Sequence, residues 1–323
     1  MSGFDVIGDI HGCADKLTGL LVQLGYRNRD GAFRHSERQA IFVGDLIDRG
    51  DKQVETVRIV RSMIDAGTAM ATMGNHEFNA ISYRTPNPEA PGDFMRTHRG
   101  EKGKKNESQH AAFLEQVVEG STLHSECLDW FRTLPLWLEL DGIRIAHACW
   151  HGASISVISG FLAEDATISE AVVIEANTQT SPLYQAVETV LKGPEVALGE
   201  QFVFVDKDSH HRSDARIRWW DGHATTLRAL AEIPAGSRTP TGVAFLDLPE
   251  TPCPGAEMYR YTDITPVFFG HYWRTGAPTI AGPKAVCVDY SAVNGGPLVA
   301  YRWDGEDVPI NANFRAFPDE LPA

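Results

Sequence analysis

Short apolar runs that each end on a polar residue, most of them through a glycine, constrain most strongly how this chain can fold. The runs, each given with its next residues, are "FDVI" before Gly8-Asp9, "AIFV" before Gly44-Asp45, "AMATM" before Gly74-Asn75, "IRIA" before His147, and "PVFF" before Gly270-His271. Four or five apolar residues are too few for an amphipathic helix and are typical of strands buried on both faces. We therefore expect a sheet whose strands all end in a similar way.

Helical patterns lie between several of these runs. Leucines recur at positions 17, 20, 21 and 24, and aliphatic residues recur at 54, 57, 60 and 64, which are the spacings of one helix face. Strand-helix-strand alternation predicts a layered α/β fold with helices covering the sheets. The 323 residues, 43% of them apolar, suffice for one large α/β domain or two ordinary ones.

Polar side chains come after the predicted strands at equivalent positions. They are Asp9, His11, Asp45, Asn75, His147 and His271. Loops at the carboxyl ends of strands are where ligands bind in α/β sheets, so we expect these side chains to converge. One Asp-x-His pair alone could equally be turn chemistry, but six such donors favour metal binding. Oxygen and imidazole donors without a thiolate suit manganese, iron, zinc or magnesium, and six ligands predict two ions.

Charge and cysteine content exclude several classes of protein. With 29 basic and 43 acidic residues, the net charge of −14 argues against binding to nucleic-acid polymers or anionic membranes. One basic segment, residues 96–105, is expected to be either a solvated mobile loop or a rim that attracts phosphates.

The five cysteines are scattered without a C-x-x-C pair, so we expect buried thiols. The absence of a long apolar run or a signal peptide predicts a cytoplasmic protein.

The motifs "GDIHG", "GDLIDRG" and "GNHE", with a later histidine after a strand and then "GH", resemble the PPP branch of the calcineurin-like metallophosphoesterases. The closing "VCVDYSAVNGGPLVAYRWDGE" is similar to the terminal strands of bacterial members, including the diadenosine tetraphosphate hydrolases. The resemblance implies a single domain over residues 1–323 with poorly matched insertions at about 84–126 and 154–200. It also implies a four-layer α-β-β-α sandwich with helical insertions.

The resemblance further implies which residues hold the two divalent ions, with manganese as the first choice and iron, zinc, nickel or magnesium as alternatives. Asp9 and His11 would bind the first ion. Asn75, His147 and His271 would bind the second, and Asp45 would bridge both. Alternation along an extended chain is expected to place Asp9 and His11 on one side, with Gly8 and Gly12 allowing a tight turn.

Catalytic roles are also implied by the resemblance. Arg49 would bind phosphate oxygens together with Asn75, and His76 would donate a proton to the leaving oxygen while hydrogen-bonded to Asp48. A second phosphate-binding arginine is expected between His147 and His271, where Arg212 in a polar loop and Arg216 at the start of a strand are preferred over Arg218.

The reaction implied is hydrolysis of a phosphoester by direct attack of a hydroxide shared by the two ions. In agreement, no cysteine has an arginine six residues later, as it has in cysteine phosphatases. Eukaryotic Ser/Thr phosphatases of this family carry Arg before "GNHE" and a Ser-Ala-Pro-Asn-Tyr loop, whereas this chain reads "TMGNHE" and "DYSAVNGG". We therefore expect a small-molecule or nucleotide phosphate as substrate. The alternatives are a phosphoprotein phosphatase acting on Ser/Thr or Tyr, and a phosphate-binding module without activity.

Overall fold

The computed structural model describes residues 3–164, 166–205, 211–234, 236–245 and 247–318. The strands are β1 Gly3–Ile7, β2 Arg27–Arg29, β3 Ala32–Arg34, β4 Arg38–Phe42, β5 Ala69–Ala71, β6 Trp137–Leu140, β7 Ile143–Ala146, β8 Glu195–Ala197, β9 Phe204–Val205, β10 His211–Arg212, β11 Asp214–Ile217, β12 Ala231–Glu232, β13 Val267–Phe269, β14 Ala285–Cys287, β15 Leu298–Trp303 and β16 Phe314–Phe317.

The α-helices are α1 Ala14–Gln23, α2 Gln53–Asp65, α3 Asn75–Arg84, α4 Gly100–Val117, α5 Thr122–Phe131, α6 Gly152–Ser159, α7 Glu170–Ala176, α8 Pro182–Lys192 and α9 Leu227–Leu230. Short 3₁₀ turns occupy Ala256–Tyr259, Ala292–Asn294 and Asn311–Asn313. None of the helices in the described ranges is long and apolar enough to span a lipid bilayer.

Two sheets stack face to face and bury the predicted apolar runs. The first has the order β16-β15-β1-β4-β5, and the second has the order β14-β13-β7-β6. Val6 and Ile41 of the first sheet share a buried cluster with Ile145, Phe268 and Val286 of the second. The next residues along β1 and β4, Ile7 and Phe42, belong to the cluster on the opposite face. Because both faces are covered, these strands read as continuous apolar runs.

Helices α1 and α2 cover the outer face of the first sheet. Leu17 and Leu20 of α1 and Val57 and Val60 of α2 lie in the same buried cluster as Phe42. The leucine and valine spacings seen in the sequence are therefore the buried faces of two helices. The predicted α/β sandwich is confirmed in these layers, whereas a second outer helical layer stays a prediction.

Parallel strands bring the candidate site residues to one edge of each sheet. Strand β1 runs parallel to β4, and β4 runs parallel to β5. In the second sheet, β13 runs parallel to both β7 and β14. The loops that leave the carboxyl ends of β1, β4 and β5 therefore project together, as do those after β7 and β13. The predicted metal ligands lie in these loops or, for Asn75, at the first residue of α3.

The chain divides into two compact units, Met1–Lys192 with Thr265–Ala323, and Gly193–Ile264. The second unit contains the antiparallel sheet β12-β11-β8 and the pair β10-β9, with Leu198, Phe204, Leu227 and Leu248 in its core. The expected single domain with insertions at 84–126 and 154–200 stays a prediction. The unit of residues 193–264 is not visible in the sequence, because its strands of two to four residues leave no periodic pattern.

Candidate active site

Asp45, in the loop after β4, lies at the centre of the predicted metal ligands. Its Oδ2 is 3.6 Å from Nε2 of His11, and its Oδ1 is 3.4 Å from Nε2 of His147. Two groups of buried side chains have ligand atoms within 4.8 Å of one another: His11, Asp45 and His76, and Asp45, His147 and His271. One carboxylate thus presents a different oxygen to each group, which is the arrangement expected of a residue that bridges two ions.

The remaining two predicted ligands flank these groups. Oδ1 of Asn75 is 3.2 Å from Nε2 of His147. Asp9 belongs to neither group of three, and its Oδ2 accepts a hydrogen bond of 3.0 Å from the backbone N–H of His271. Only glycine fits at position 270, because a Cβ there would lie 1.9 Å from Oδ1 of Asp9. Asp9 is therefore held against the loop that carries His271.

Two histidines have their tautomer fixed by backbone carbonyls. Nδ1 of His11 donates to the carbonyl of Ile47 at 2.9 Å, and Nδ1 of His147 donates to the carbonyl of Val43 at 2.8 Å. Nε2 of each ring is then the unprotonated atom that can bind a metal. Partners of this kind are the usual means of orienting metal-binding histidines.

Buried polar atoms at the site indicate that the residues fit divalent ions. Among the described residues, neither Oδ1 of Asp9 nor Nε2 of His11 has a hydrogen-bond partner, although both are buried. Leaving such atoms without a partner costs about 1–3 kcal/mol each, so a partner for each atom is expected. A carboxylate oxygen and an imidazole lone pair are both suitable ligands for a divalent cation.

The two acidic residues predicted to bind metal have opposite pKa shifts. Burial raises the pKa of the Asp45 carboxyl, but the neighbouring His147 and His76 more than offset it, so the pKa lies well below its usual value. Burial, Asp289 and Asp45 together raise the pKa of Asp9 well above its usual value. A bound cation would stabilise the ionised form of Asp9 and so oppose this shift.

The loops that carry the site have strained backbones. Residues with φ between 48° and 76° include His11, Asp45, Asp48, Arg49 and His271. This left-handed conformation costs a non-glycine residue on the order of 1 kcal/mol, and it clusters at functional sites. Strand alternation therefore does not bring Asp9 and His11 together, since β1 ends at Ile7 and His11 has φ 48°. Gly12, with φ 70°, makes the tight turn that we predicted.

The predicted hydrogen bond between Asp48 and His76 is present. Oδ2 of Asp48 accepts from Nδ1 of His76 at 2.6 Å, and Nε2 of His76 points towards the ligands, 3.9 Å from Oδ2 of Asp45. Burial lowers the pKa of His76, but Asp45 and Asp48 outweigh burial and raise it above its usual value. These two carboxylates therefore favour the protonated form of His76 beside the predicted metal ligands.

Arg49 is an exposed cation at this edge of the first unit. Its guanidinium lies 4.6 Å from the ring centroid of Trp273, and Trp273 stacks on His11 with ring centroids 5.4 Å apart. Cation–π contact of this kind orients an arginine without neutralising it. We did not predict Trp273, although an aromatic residue two positions after the ligand His271 was visible in the sequence.

Glu77 is a second residue that the sequence analysis missed. It is fully buried, and its carboxylate accepts from the backbone N–H groups of Asp45 at 2.9 Å, Leu46 at 2.8 Å, Ile47 at 3.3 Å and Gly74 at 2.9 Å. It therefore joins the loop after β4 to the start of α3. The sequence signal that could have identified Glu77 is its position as the third residue of a helix, where a Glu side chain commonly accepts hydrogen bonds from the free backbone amides.

Both preferred candidates for the second phosphate-binding arginine lie in the second compact unit. Arg212 is exposed in β10 rather than in a loop, and Arg216 is the third residue of β11. Their role in phosphate binding stays a prediction.

In the basic segment, residues 100–105 begin helix α4, and Arg96 donates to Oε1 of Gln109 at 2.7 Å. Residues 100–105 are therefore helical, whereas a role for the segment in attracting phosphates stays a prediction.

The model of the calcineurin-like phosphoesterase family matches residues 3–227, more than half of the chain. The chain belongs to this family. The family recognised from the sequence motifs and the predicted α/β sandwich are thereby confirmed.

Two curated relatives have informative names. An asymmetrical bis(5'-nucleosyl)-tetraphosphatase of Bacillus subtilis is 33% identical over 148 residues, which are 45% of this chain and 57% of that protein. The match thus spans little more than half of the relative's length. A symmetrical bis(5'-nucleosyl)-tetraphosphatase of Aromatoleum aromaticum is 26% identical over 310 residues, 94% of each chain. Among solved structures, a diadenosine tetraphosphatase is similar with 19% identity and a TM-score of 0.45, covering 94% of this chain and 91% of that one.

Proposed function

We propose that this protein is a dinuclear metal-dependent phosphohydrolase that acts on nucleotide phosphates, with dinucleoside polyphosphates as the first choice of substrate. The position of Asp45 carries this proposal, because its two oxygens face His11 and His147 separately at 3.6 and 3.4 Å. One carboxylate between two sets of ligands supports a pair of ions rather than one. Asp9, His11 and Asp45 would hold the first ion, and Asp45, Asn75, His147 and His271 the second.

The ions would supply Lewis acidity and a water molecule that is easily deprotonated near neutral pH. The side chains around them do the remaining work. Arg49, exposed and oriented by Trp273, binds the phosphate oxygens with a planar set of donors, aided by Asn75. His76 gives its Nε2 proton to the leaving oxygen as the bond to phosphorus breaks, while Asp48 stabilises the positive charge on the ring.

The names of the relatives support the choice of substrate. The Bacillus subtilis and Aromatoleum aromaticum proteins are both called bis(5'-nucleosyl)-tetraphosphatases, and the second aligns along nearly the whole of this chain. The acidic composition supports a small anionic substrate that is bound locally rather than a polymer. We propose manganese as the metal, because the donors are hard oxygens and imidazoles, and we propose a cytoplasmic location.

A substrate panel tests the proposal. The protein, loaded with manganese after chelation, is assayed for release of phosphate or nucleotide from diadenosine tetraphosphate, from mononucleotides, and from phosphoserine and phosphotyrosine peptides. We expect the highest kcat/KM for the dinucleotide. A higher kcat/KM for a phosphopeptide would identify a phosphoprotein phosphatase. No turnover of any substrate with two ions bound would favour a phosphate-binding module and overturn the proposed activity.

A further inference from the structure

Asp48 makes two short hydrogen bonds to imidazoles, although only one was expected. Its Oδ2 accepts from Nδ1 of His76 at 2.6 Å, and its Oδ1 accepts from Nδ1 of His110 at 2.7 Å. His110 comes from helix α4 and is 62 residues further along the chain than Asp48. The three residues are at most 8% exposed. The carboxylate is thus held between two rings in a site that is closed to water.

The protonation of this chain of groups is set by their partners. Burial raises the pKa of Asp48, but His110 and His76 more than offset it, so the carboxyl is ionised and both rings donate to it. Within the described part of the chain, Nε2 of His110 is buried without a hydrogen-bond partner. Nδ1 is therefore the ring atom through which His110 is hydrogen-bonded, and it donates because a carboxylate oxygen only accepts.

The surroundings of His110 fix the direction of its ring. It packs against Phe113 and Tyr83, with ring centroids 5.1 and 5.4 Å away. These aromatic contacts hold the ring in place and leave its Nδ1 directed at Asp48. A histidine packed in this way contributes one directed donor, and that donor is aimed at the carboxylate that supports His76.

The terminal torsion of an aspartate is broad, so one hydrogen bond does not fix the carboxylate plane. Two donors, one on each oxygen, do fix the plane of the carboxylate. The backbone of Asp48 is also held, since its N–H donates to Oε1 of Gln53 at 2.7 Å. With both oxygens held, Oδ2 stays where Nδ1 of His76 needs it, and Nε2 of His76 stays directed at the metal ligands.

We propose that His110 is a positioning residue for proton donation by His76, acting through Asp48. This inference rests on the proposed function, because it assumes that His76 protonates the leaving oxygen. His110 touches neither the substrate nor the ions. In the step it supports, the bond between phosphorus and the leaving oxygen breaks, and the proton on Nε2 of His76 moves to that oxygen.

Four variants separate this role from a structural one. His110→Phe keeps the aromatic packing and removes the donor. His110→Asn keeps a donor at the position of Nδ1, whereas His110→Gln keeps a polar side chain that lacks a donor there. His124→Phe is the matched control, because His124 is also a buried histidine that packs on Phe113 but belongs to α5 and makes its hydrogen bonds with Ser121 and Gly120.

Leaving-group dependence is the first measurement, made with an alkyl phosphate and with p-nitrophenyl phosphate. His110→Phe and His110→Gln should lower kcat for the alkyl ester about 10- to 100-fold, the range for partners that orient metal-binding histidines, with KM unchanged. The nitrophenyl ester should lose about threefold or less, since its leaving group needs little protonation. His110→Asn should recover most of the alkyl-ester activity, and His124→Phe should affect both esters equally. If His110→Phe does not fold, the comparison of alkyl-ester turnover between His110→Asn and His110→Gln tests the positioning role.

The second measurement needs no activity. In metal-free protein labelled with ¹⁵N-histidine, the hydrogen-bonded Nδ1–H signal of His76, assigned by its loss in His76→Asn, should shift in His110→Phe and stay in place in His124→Phe. An unchanged signal, or equal losses on both esters, would overturn the positioning role. If the wild type with two ions bound hydrolyses neither these esters nor diadenosine tetraphosphate, the proposed function fails and the signal of His76 alone decides the inference.

Discussion

Replacing Glu77 with Gln should destabilise the protein more than almost any other isosteric change at the site. The carboxylate accepts hydrogen bonds from four backbone N–H groups of two loops, two on each oxygen. Glutamine keeps one oxygen and places an NH₂ group against the N–H donors of the other. The two N–H groups on that side then lose their acceptor. At about 1–3 kcal/mol for each buried donor left without an acceptor, the substitution costs about 2 to 6 kcal/mol.

Thermal unfolding of metal-free protein, monitored by circular dichroism, measures this loss. For a unit of this size, 1 kcal/mol corresponds to about 2 to 4 °C, so we expect Tm to fall by at least about 4 °C. Glu115→Gln is the control, because Glu115 is exposed on α4 and its replacement should move Tm by about 1 °C or less. A Tm for Glu77→Gln within about 1 °C of the wild type would refute the role of Glu77 in joining the loops.

The same variant should change how stability depends on pH. Burial and the charge of Asp45 raise the pKa of Glu77 from 4.5 to about 7. Because the folded-state value is the higher one, the wild type binds a proton more tightly when folded and loses stability as pH rises through 7. Glu77 alone contributes a loss of about 1 kcal/mol between pH 6 and 8. Glutamine cannot titrate, so the cost of the substitution should be larger at pH 6 than at pH 8, and an identical pH slope in both proteins would contradict this.

Three further predictions concern the reaction and the metals. His76→Asn should lower turnover of an alkyl phosphate by about 10²- to 10⁴-fold and of p-nitrophenyl phosphate much less, with metal content unchanged; equal losses would mean that His76 orients the phosphate instead. Asp48→Asn removes a charge that raises the pKa of His76. The fall of kcat for the alkyl ester at alkaline pH should therefore begin at a lower pH, and an unchanged pH profile would contradict the effect of Asp48 on His76. Chelation should lower Tm, and manganese at 100 times its Kd at pH 8 should restore about 2.7 kcal/mol per bound ion at that pH. The same concentration should restore less at pH 6, because the ligands must lose protons, and equal restoration at both pH values would argue against these ligands.

The strands and most of the candidate ligands could be predicted from the sequence because their signals are local. A strand buried on both faces is a continuous apolar run in the sequence, so it can be recognised there. The polar residue that follows the run marks the edge of the sheet. Repetition made the inference strong: Asp9 and Asp45 follow parallel neighbours in one sheet, and Asp45 lies against His147, which follows a strand of the other sheet.

Other features could not be predicted because they depend on contacts between distant residues. The left-handed backbone of His11 and Asp45 has no sequence signal, since neither residue is glycine. His110 looks like one histidine on a helix, and only the packing of α4 brings it to Asp48. The unit Gly193–Ile264 was missed because its short strands are held by pairing rather than by apolar runs.

The number of ions held by the wild type and by Asp45→Asn tests the central claim most directly. Each protein is stripped with chelator, loaded with manganese, desalted, and analysed for manganese per chain by mass spectrometry, with turnover of diadenosine tetraphosphate measured on the same samples. Asp93→Asn is the control, because Asp93 is buried but bonds to Thr97 and His98 instead of facing the predicted ligands.

Because Asp45 faces both groups of ligands, we expect two ions in the wild type and in Asp93→Asn, and one or none with no turnover in Asp45→Asn. Two tightly held ions and normal turnover in Asp45→Asn would contradict the dinuclear site.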